Sequence, residues 1–217
     1  MNERVQQTNR LIWVGLGLTA ALLVLAFLLA TLRARALLGK PLPVYGQVAD
    51  FTLTNQMGQI VSLADLRGSV WVADIIFTRC AGPCLKMTRQ MKELQAALPA
   101  NSQTKLVSLT TDPEFDTPSV LKAYADRFGV DPSRWHFLTG SKAQIAKLAV
   151  DSLKLTAIEK QPEQREDPAD LFIHSTIFVL IDKQGRLRGV YETTGEGVDP
   201  QSVRADILAA IKRLERE

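Results

Sequence analysis

Cys80 and Cys84 are the two cysteines of the chain, four positions apart in Phe77-Thr78-Arg79-Cys80-Ala81-Gly82-Pro83-Cys84. They fall between an apolar run and an amphipathic helical pattern. A thiol in the first turn of a helix feels the positive end of the helix dipole, which favours the thiolate and readies it for a metal or a disulfide. The spacing therefore points to metal or redox chemistry. A plain structural disulfide of an exported domain fits the same two residues.

The flanking sequence says how the pair is held. Val70 to Phe77 is a near-continuous apolar run of strand length, as expected where a strand is covered on both faces, and it ends where the cysteines begin. From Cys84 onward Met87, Met91, Leu94 and Leu98 recur at spacings of three and four. That predicts a helix with one buried stripe headed by Cys84, and it assigns Met87 to the core, not to a metal.

Upstream, Asp50–Thr54 and Gln59–Leu63 flank a turn at Gly58 and read as a hairpin. Downstream comes a strand at Leu106–Leu109, then Asp116 or Thr117 as the cap of a helix through Val120, Leu121, Tyr124 and Phe128. Next are a strand at Trp135–Leu138 and a helix from Lys142 to Ser152. The charged stretch 155–170, with Pro162 and Pro168, reads as a loop. Leu171–His174 leads into a strand at Thr176–Ile181, a turn at Asp182–Gly185, a strand at Leu187–Tyr191 and a helix from about Ser202 to Leu214. Alternating strands and helices make an α/β layered domain. The order is that of a thioredoxin-like fold, a central mixed sheet flanked by helices with an N-terminal β-hairpin. If the 176–181 strand lies antiparallel beside the 70–77 strand, His174 comes to the cysteines. His136, inside an apolar run and matching no ligand motif, is read as a surface or capping residue.

Three segments together resemble the Sco/SenC family: Phe77-Thr78-Arg79-Cys80-x-x-x-Cys84, Asp112-Pro113-x-x-Asp116-Thr117-Pro118, and His174-Ser175 followed by Ile181-Asp182-x-x-Gly185. The resemblance covers roughly residues 45 to 215. It implies a thioredoxin-like domain whose two cysteines and distal histidine bind copper, and a role in assembling the dinuclear copper centre of cytochrome c oxidase. Carried across by motif, the ligands are Cys80, Cys84 and His174, holding one Cu(I) or Cu(II) per domain. The implied partners are the copper-bearing oxidase subunit and other copper chaperones. Family members commonly have a proline after each cysteine, where this chain has Ala81 and Leu85. Donor chemistry agrees, because two soft thiolates and an imidazole suit copper in either state while Mg²⁺ and Ca²⁺ ask for oxygen. Zinc with a water in the fourth position uses the same three groups.

A second reading makes Cys80 and Cys84 the redox-active pair of a dedicated thiol-disulfide reductase, acting on the oxidase copper site or another exported protein. General thioredoxin-type reductases usually carry two residues between the cysteines, not three, and a cis-proline where Thr176 stands here. Peroxidase chemistry would need Thr78 and Arg79 arranged around a single cysteine. The chain is thus expected to be a metallochaperone more than an enzyme.

Residues 11–32 run uncharged between a short polar head (1–10) and a linker (33–46) that leads to the domain at 47–217. At 1.5 Å per residue the run spans roughly 33 Å, enough for a bilayer core of about 30 Å. Cleavable signals have shorter apolar regions of about 7 to 15 residues, so the small-x-small Ala34-Arg35-Ala36 is read as the flank of an uncleaved anchor. The charge flanks alone, Arg4 and Arg10 against Arg33, Arg35 and Lys40, would favour the second side as cytoplasmic. The resemblance instead implies a bacterial inner-membrane protein, anchored through residues 11–32, with its domain in the periplasm. Five of the 26 basic side chains and one of the 23 acidic ones lie in residues 1–40, so the remainder is close to neutral. Nothing supports a nucleic-acid partner, which would need a basic face.

Overall fold

The computed structural model describes residues 2–38, 41–80, 82–161, 163 and 172–217; the side chains of 2–12, 32, 34–38, 157, 159, 173 and 174 fall outside that description. It divides into two compact units, Met1–Pro41 and Leu42–Glu217. The first holds helix α1 (Asn2–Leu38), whose segment Trp13–Thr31 has a mean hydropathy of 2.4 over 19 residues and is long and apolar enough to cross a bilayer. Within it Thr19 and Thr31 donate their hydroxyls to Leu16 and Leu28 carbonyls, so neither presents a bare polar group.

The second unit is built on strands β1 (Gly46–Gln47), β2 (Thr52–Asn55) and β3 (Ile60–Ser62), a short α2 (Leu63–Leu66), β4 (Trp71–Ile76), α3 (Pro83–Ala97) and β5 (Lys105–Thr110). Then follow α4 (Pro118–Arg127), β6 (Trp135–Thr139) and α5 (Lys142–Ala146), which continues as a π-helix over Lys147–Ser152. β7 (Ala157–Glu159), β8 (Phe172–His174), β9 (Ile177–Ile181), β10 (Arg186–Glu192) and α6 (Pro200–Leu214) complete it.

Eight strands form one sheet in the order β1-β10-β9-β4-β5-β6-β2-β3. β4, β5 and β6 are parallel, and β9 lies antiparallel to β4 with Trp71 opposite Ile181 and Ala73 opposite Val179. β4 is buried along its whole length. Its alternate residues feed two cores: Val72 and Ile76 join Met87, Met91 and both cysteines, while Trp71, Ala73 and Ile75 pack with the π-helix residues Leu148 and Ala149. That is the physical basis of its unbroken apolar run, since period-two alternation disappears when both faces are covered.

The expected β2–β3 hairpin forms, and Thr117, not Asp116, caps α4 by accepting from Val120 N–H. The stretch 155–170 departs from its reading as a loop. Ala157–Glu159 pairs antiparallel with Phe172–His174, Ala157 opposite His174, in a separate two-stranded sheet. Three residues of ladder are too short to leave a periodic signature in the sequence, and their partner is a dozen residues away.

The end of the sheet away from β4's last residue is closed by charge. The β9–β10 turn places Asp182 beside the start of β4, and Gly185, with φ 78°, supplies the left-handed position the turn requires. A register shift between Leu187 and Gly189 makes Arg188 a bulge residue, and its side chain is turned into the protein. Its guanidinium donates to Asp182 at 2.6 Å, Glu217 at 2.9 Å and the carbonyls of Leu42 and Pro43 at 2.9 and 3.1 Å.

Candidate metal centre

β4 runs straight into the cysteine loop. The parallel ladder continues past it with Thr111 N–H on the Ile76 carbonyl (2.8 Å), and Cys80 N–H closes a turn on the Phe77 carbonyl (3.2 Å). Gly82 then starts α3 with Pro83 in its first turn, where a missing N–H costs nothing. Cys84 follows on the buried face with Met87 and Met91, as its stripe predicts.

Both cysteines are thiols, and they share a hydrogen bond. Both residues are buried, Cys80 at 8 % exposure and Cys84 at 0 %, so Cys80 lies nearer the surface, at the lip, and Cys84 behind it. Burial pushes the Cys84 thiol far up, reinforced by the hydrogen bond with Cys80 and by the charges of Cys80 and Asp74; the Phe77 backbone N–H opposes them. This corrects the expectation that its place in the first turn of a helix favours the thiolate. A helix terminus is worth about 0.3–1 kcal/mol at exposed sites and up to about 2 in partly buried ones, whereas desolvating an ion costs several. Burial therefore favours the protonated form of Cys84, and a bound cation would favour the thiolate.

Two acidic residues of the β5–α4 loop hold the two residues ahead of Cys80. Asp116, fully buried, accepts from Thr78 N–H (3.1 Å), from the Thr78 hydroxyl and from the Thr110 hydroxyl (2.5 Å). Asp112 pairs with Arg79 at 2.5 Å, and the same guanidinium lies 4.2 Å from the centre of the Phe115 ring. Thr78 and Arg79 are thus both engaged with carboxylates. Behind Cys84, the Thr88 hydroxyl donates to the Cys84 carbonyl (2.9 Å) and meets the Tyr124 hydroxyl at 2.8 Å. Burial pushes Tyr124 up as well, against the bond from Thr88 and with the charges of Cys84, Asp74 and Cys80.

His174 has its backbone in β8, and its imidazole lies outside the described side chains. The same strand is tied to the cysteine loop through Phe172, whose ring meets Phe77 edge-on at 5.1 Å. Among the described residues no group of three or more histidine, cysteine or acidic side chains gathers as a metal cage. Met87 is fully buried, as its stripe predicts. His136 stands on β6 opposite Val107, two strands from β4; burial lowers its pKa, helped by Lys105 and opposed by Asp65.

The arrangement, a soft sulfur pair at the mouth of an apolar cluster, fits a soft cation. Residues 43–212 match the family SCO1/SenC. The chain belongs to the SCO1/SenC family. The SCO1 protein homolog of Bacillus subtilis strain 168 is 39 % identical over 170 residues, 77 % of this chain and 84 % of that protein. The structure of BsSco, described as a member of the Sco family of cytochrome c oxidase assembly proteins with a disulfide switch, matches with a TM-score of 0.64. Identity there is 36 %, over 79 % of this chain and 98 % of BsSco. Bradyrhizobium japonicum ScoI, solved with copper bound, matches at 0.62 with 25 % identity over 77 % and 99 % of the two chains. The fold of this SCO1/SenC domain is thioredoxin-like, as the resemblance implies.

Sequence reasoning misses the support around the pair. Asp74 is fully buried in the middle of β4, and a carboxylate inside an otherwise apolar strand is the signal that marks it. Tyr124 reads in the sequence as one more apolar helix position. Thr110 carries no local signal at all, because its partner is fixed by the loop that follows its strand.

Proposed function

We propose that this protein is a membrane-anchored copper chaperone in which Cys80 and Cys84 supply two sulfur ligands and His174 the third. It holds one Cu(I) or Cu(II) per domain and serves assembly of the dinuclear copper centre of cytochrome c oxidase. The observation that carries this reading is the hydrogen-bonded thiol pair at the end of β4, one sulfur at the lip and one behind it. Thiolates and an imidazole accommodate copper in both oxidation states. Cys84 must lose its proton as the ion enters, so loading releases protons and weakens in acid. The lip position of Cys80 makes it the ligand that a partner's thiolate, binding the ion, would displace first, which suits ligand exchange with the copper-bearing oxidase subunit or another copper chaperone. Residues 11–32 anchor the chain in a bacterial inner membrane with residues 47–217 in the periplasm.

The test is metal analysis and absorption spectroscopy of the full chain in detergent, beside Cys80→Ser, Cys84→Ser and His174→Ala. The parent should hold about one copper per chain, the serine variants should lose it, and His174→Ala should bind more weakly with an altered spectrum. Identical binding by His174→Ala would show the third ligand to be misassigned. A reporter at the carboxyl end active only in the cytoplasm would reverse the topology.

The same thiol pair favours a second reading, a dedicated thiol-disulfide reductase. A lip thiol attacks a substrate disulfide and the thiol behind it resolves the mixed disulfide, leaving Cys80 and Cys84 oxidised and the substrate reduced. A parent that binds no copper yet reduces a protein disulfide would establish it.

A further inference from the structure

Asp116 is 0 % exposed, and the cap of α4 is already provided by Thr117, so capping does not account for this carboxylate. Burying a carboxylate is costly unless donors surround it. The donors here frame the cysteine loop: Thr78 N–H and hydroxyl stand two residues before Cys80, and Thr110 is the last residue of the neighbouring strand β5. The other end of the carboxylate's residue is fixed too, since Asp116 N–H donates to the Asp112 carbonyl at 2.8 Å. Asp116 is therefore a cross-brace between the β5–α4 loop and the approach to Cys80.

The two sulfurs differ in how they are held. Cys84 is part of a fifteen-residue helix packed into the core. Cys80 sits in a turn ahead of that helix, two residues before its N-cap Gly82. We propose that Asp116 is a positioning residue for the metal centre: through Thr78 it fixes where Cys80 stands relative to Cys84. This rests on the copper reading for its consequence, though the brace itself is a property of the metal-free thiols. Outer groups that orient metal ligands typically change affinity by about 10–100-fold when removed, because the ligands are no longer held ready.

The test uses the full chain carrying Asp116→Ala, Thr78→Val or Thr78→Ser. Cu(I) affinity is measured by competition with a chromophoric chelator, the Cu(II)–thiolate absorption is recorded, and alkylation of Cys80 relative to Cys84 is mapped by mass spectrometry in the reduced, metal-free protein. Asp116→Ala should still bind copper but about 10–100-fold more weakly, with a shifted absorption band and a raised Cys80:Cys84 alkylation ratio. Thr78→Val, which keeps the backbone N–H bond, should move all three readouts less, and Thr78→Ser should restore the parent values. A folded Asp116→Ala with affinity, spectrum and alkylation ratio all unchanged overturns the proposal. Should that variant not fold, an unchanged Thr78→Val overturns it instead. A parent that binds no copper ends the copper reading alone, and the alkylation ratio then decides the brace.

Discussion

The two ends of the central sheet are finished with different chemistry. Where β4 ends, two thiols share a hydrogen bond, Thr88 and Tyr124 pair behind them, Thr78 and Thr110 meet the buried carboxylate of Asp116, and the guanidinium of Arg79 lies at the rim with its side chain 42 % exposed. Where β4 begins, Arg188 is buried to 2 % side-chain exposure against Asp182 at 1 %, and it gathers Glu217 and two backbone carbonyls as well. At the first end burial raises the pKa of Cys84, Tyr124 and Asp116, and the one ion pair described there, Arg79 with Asp112, lies at the rim. The other is saturated with charge of both signs and holds together chain segments that lie far apart in sequence. Burial around the thiols favours neutral groups, whereas a structural junction gains from a guanidinium with every donor used.

The comparison is broken most severely at Arg188. Arg188→Met strips Asp182 and Glu217 of their buried guanidinium, although Arg186 still pairs with Asp182, and should cost about 3 kcal/mol of stability, read from denaturant midpoints, while copper capacity of the still-folded protein is unchanged. Equal loss of copper binding would mean that the ends are not independent.

Acid should separate the two ends by sign. Burial pushes Asp182 up, but the bonds from Arg186 N–H, Arg188 and the Arg186 side chain more than reverse it, leaving its pKa below 3.8. Its contribution is complete above that ordinary value and disappears as pH falls through the lower folded value. Asp116 is held above 3.8, first by burial and then by the charge of Asp112, against its bonds from Thr110 and Thr78. Its contribution is complete below 3.8 and is lost as pH rises through the folded value. Denaturant midpoints of Asp182→Asn and Asp116→Asn followed from pH 7 to pH 3 should therefore converge on and diverge from the parent in opposite directions. A common trend would remove the contrast.

Smaller changes sharpen it. Tyr124→Phe removes one hydroxyl from the pair with Thr88 and should cost about 1 kcal/mol, since Thr88 keeps the Cys84 carbonyl. Thr117→Ala removes a cap whose bond to Val120 N–H is long, 3.5 Å, and should cost about 0.5 kcal/mol, the low end for caps. Either loss above about 3 kcal/mol would show the cysteine end to be as tightly coupled as the Arg188 end.

Much of the frame is legible in the chain itself. The unbroken run from Val70 to Phe77 announces a doubly covered strand, and the spacing of Cys84, Met87, Met91, Leu94 and Leu98 announces the helix that buries Cys84. Both signals are local, a run and a period, and a reader needs no partner strand to see them. β7 is invisible by the same logic, because a three-residue strand exists only through its pairing with β8. The dipole argument for Cys84 fails for a related reason: the helix terminus is written in the sequence, but the depth of burial that overrides it is not.

The apolar helix, the α/β order, the cysteine spacing and the family are all readable along the chain, since each depends on residue types at fixed intervals. It takes the folded chain to show that Asp116 reaches back 38 residues to Thr78, that Arg188 turns inward at a bulge to hold Leu42, Pro43 and Glu217, and that burial raises the pKa of Cys84. Desolvation and long-range pairing are properties of what surrounds a group in space, and no interval along the chain encodes them.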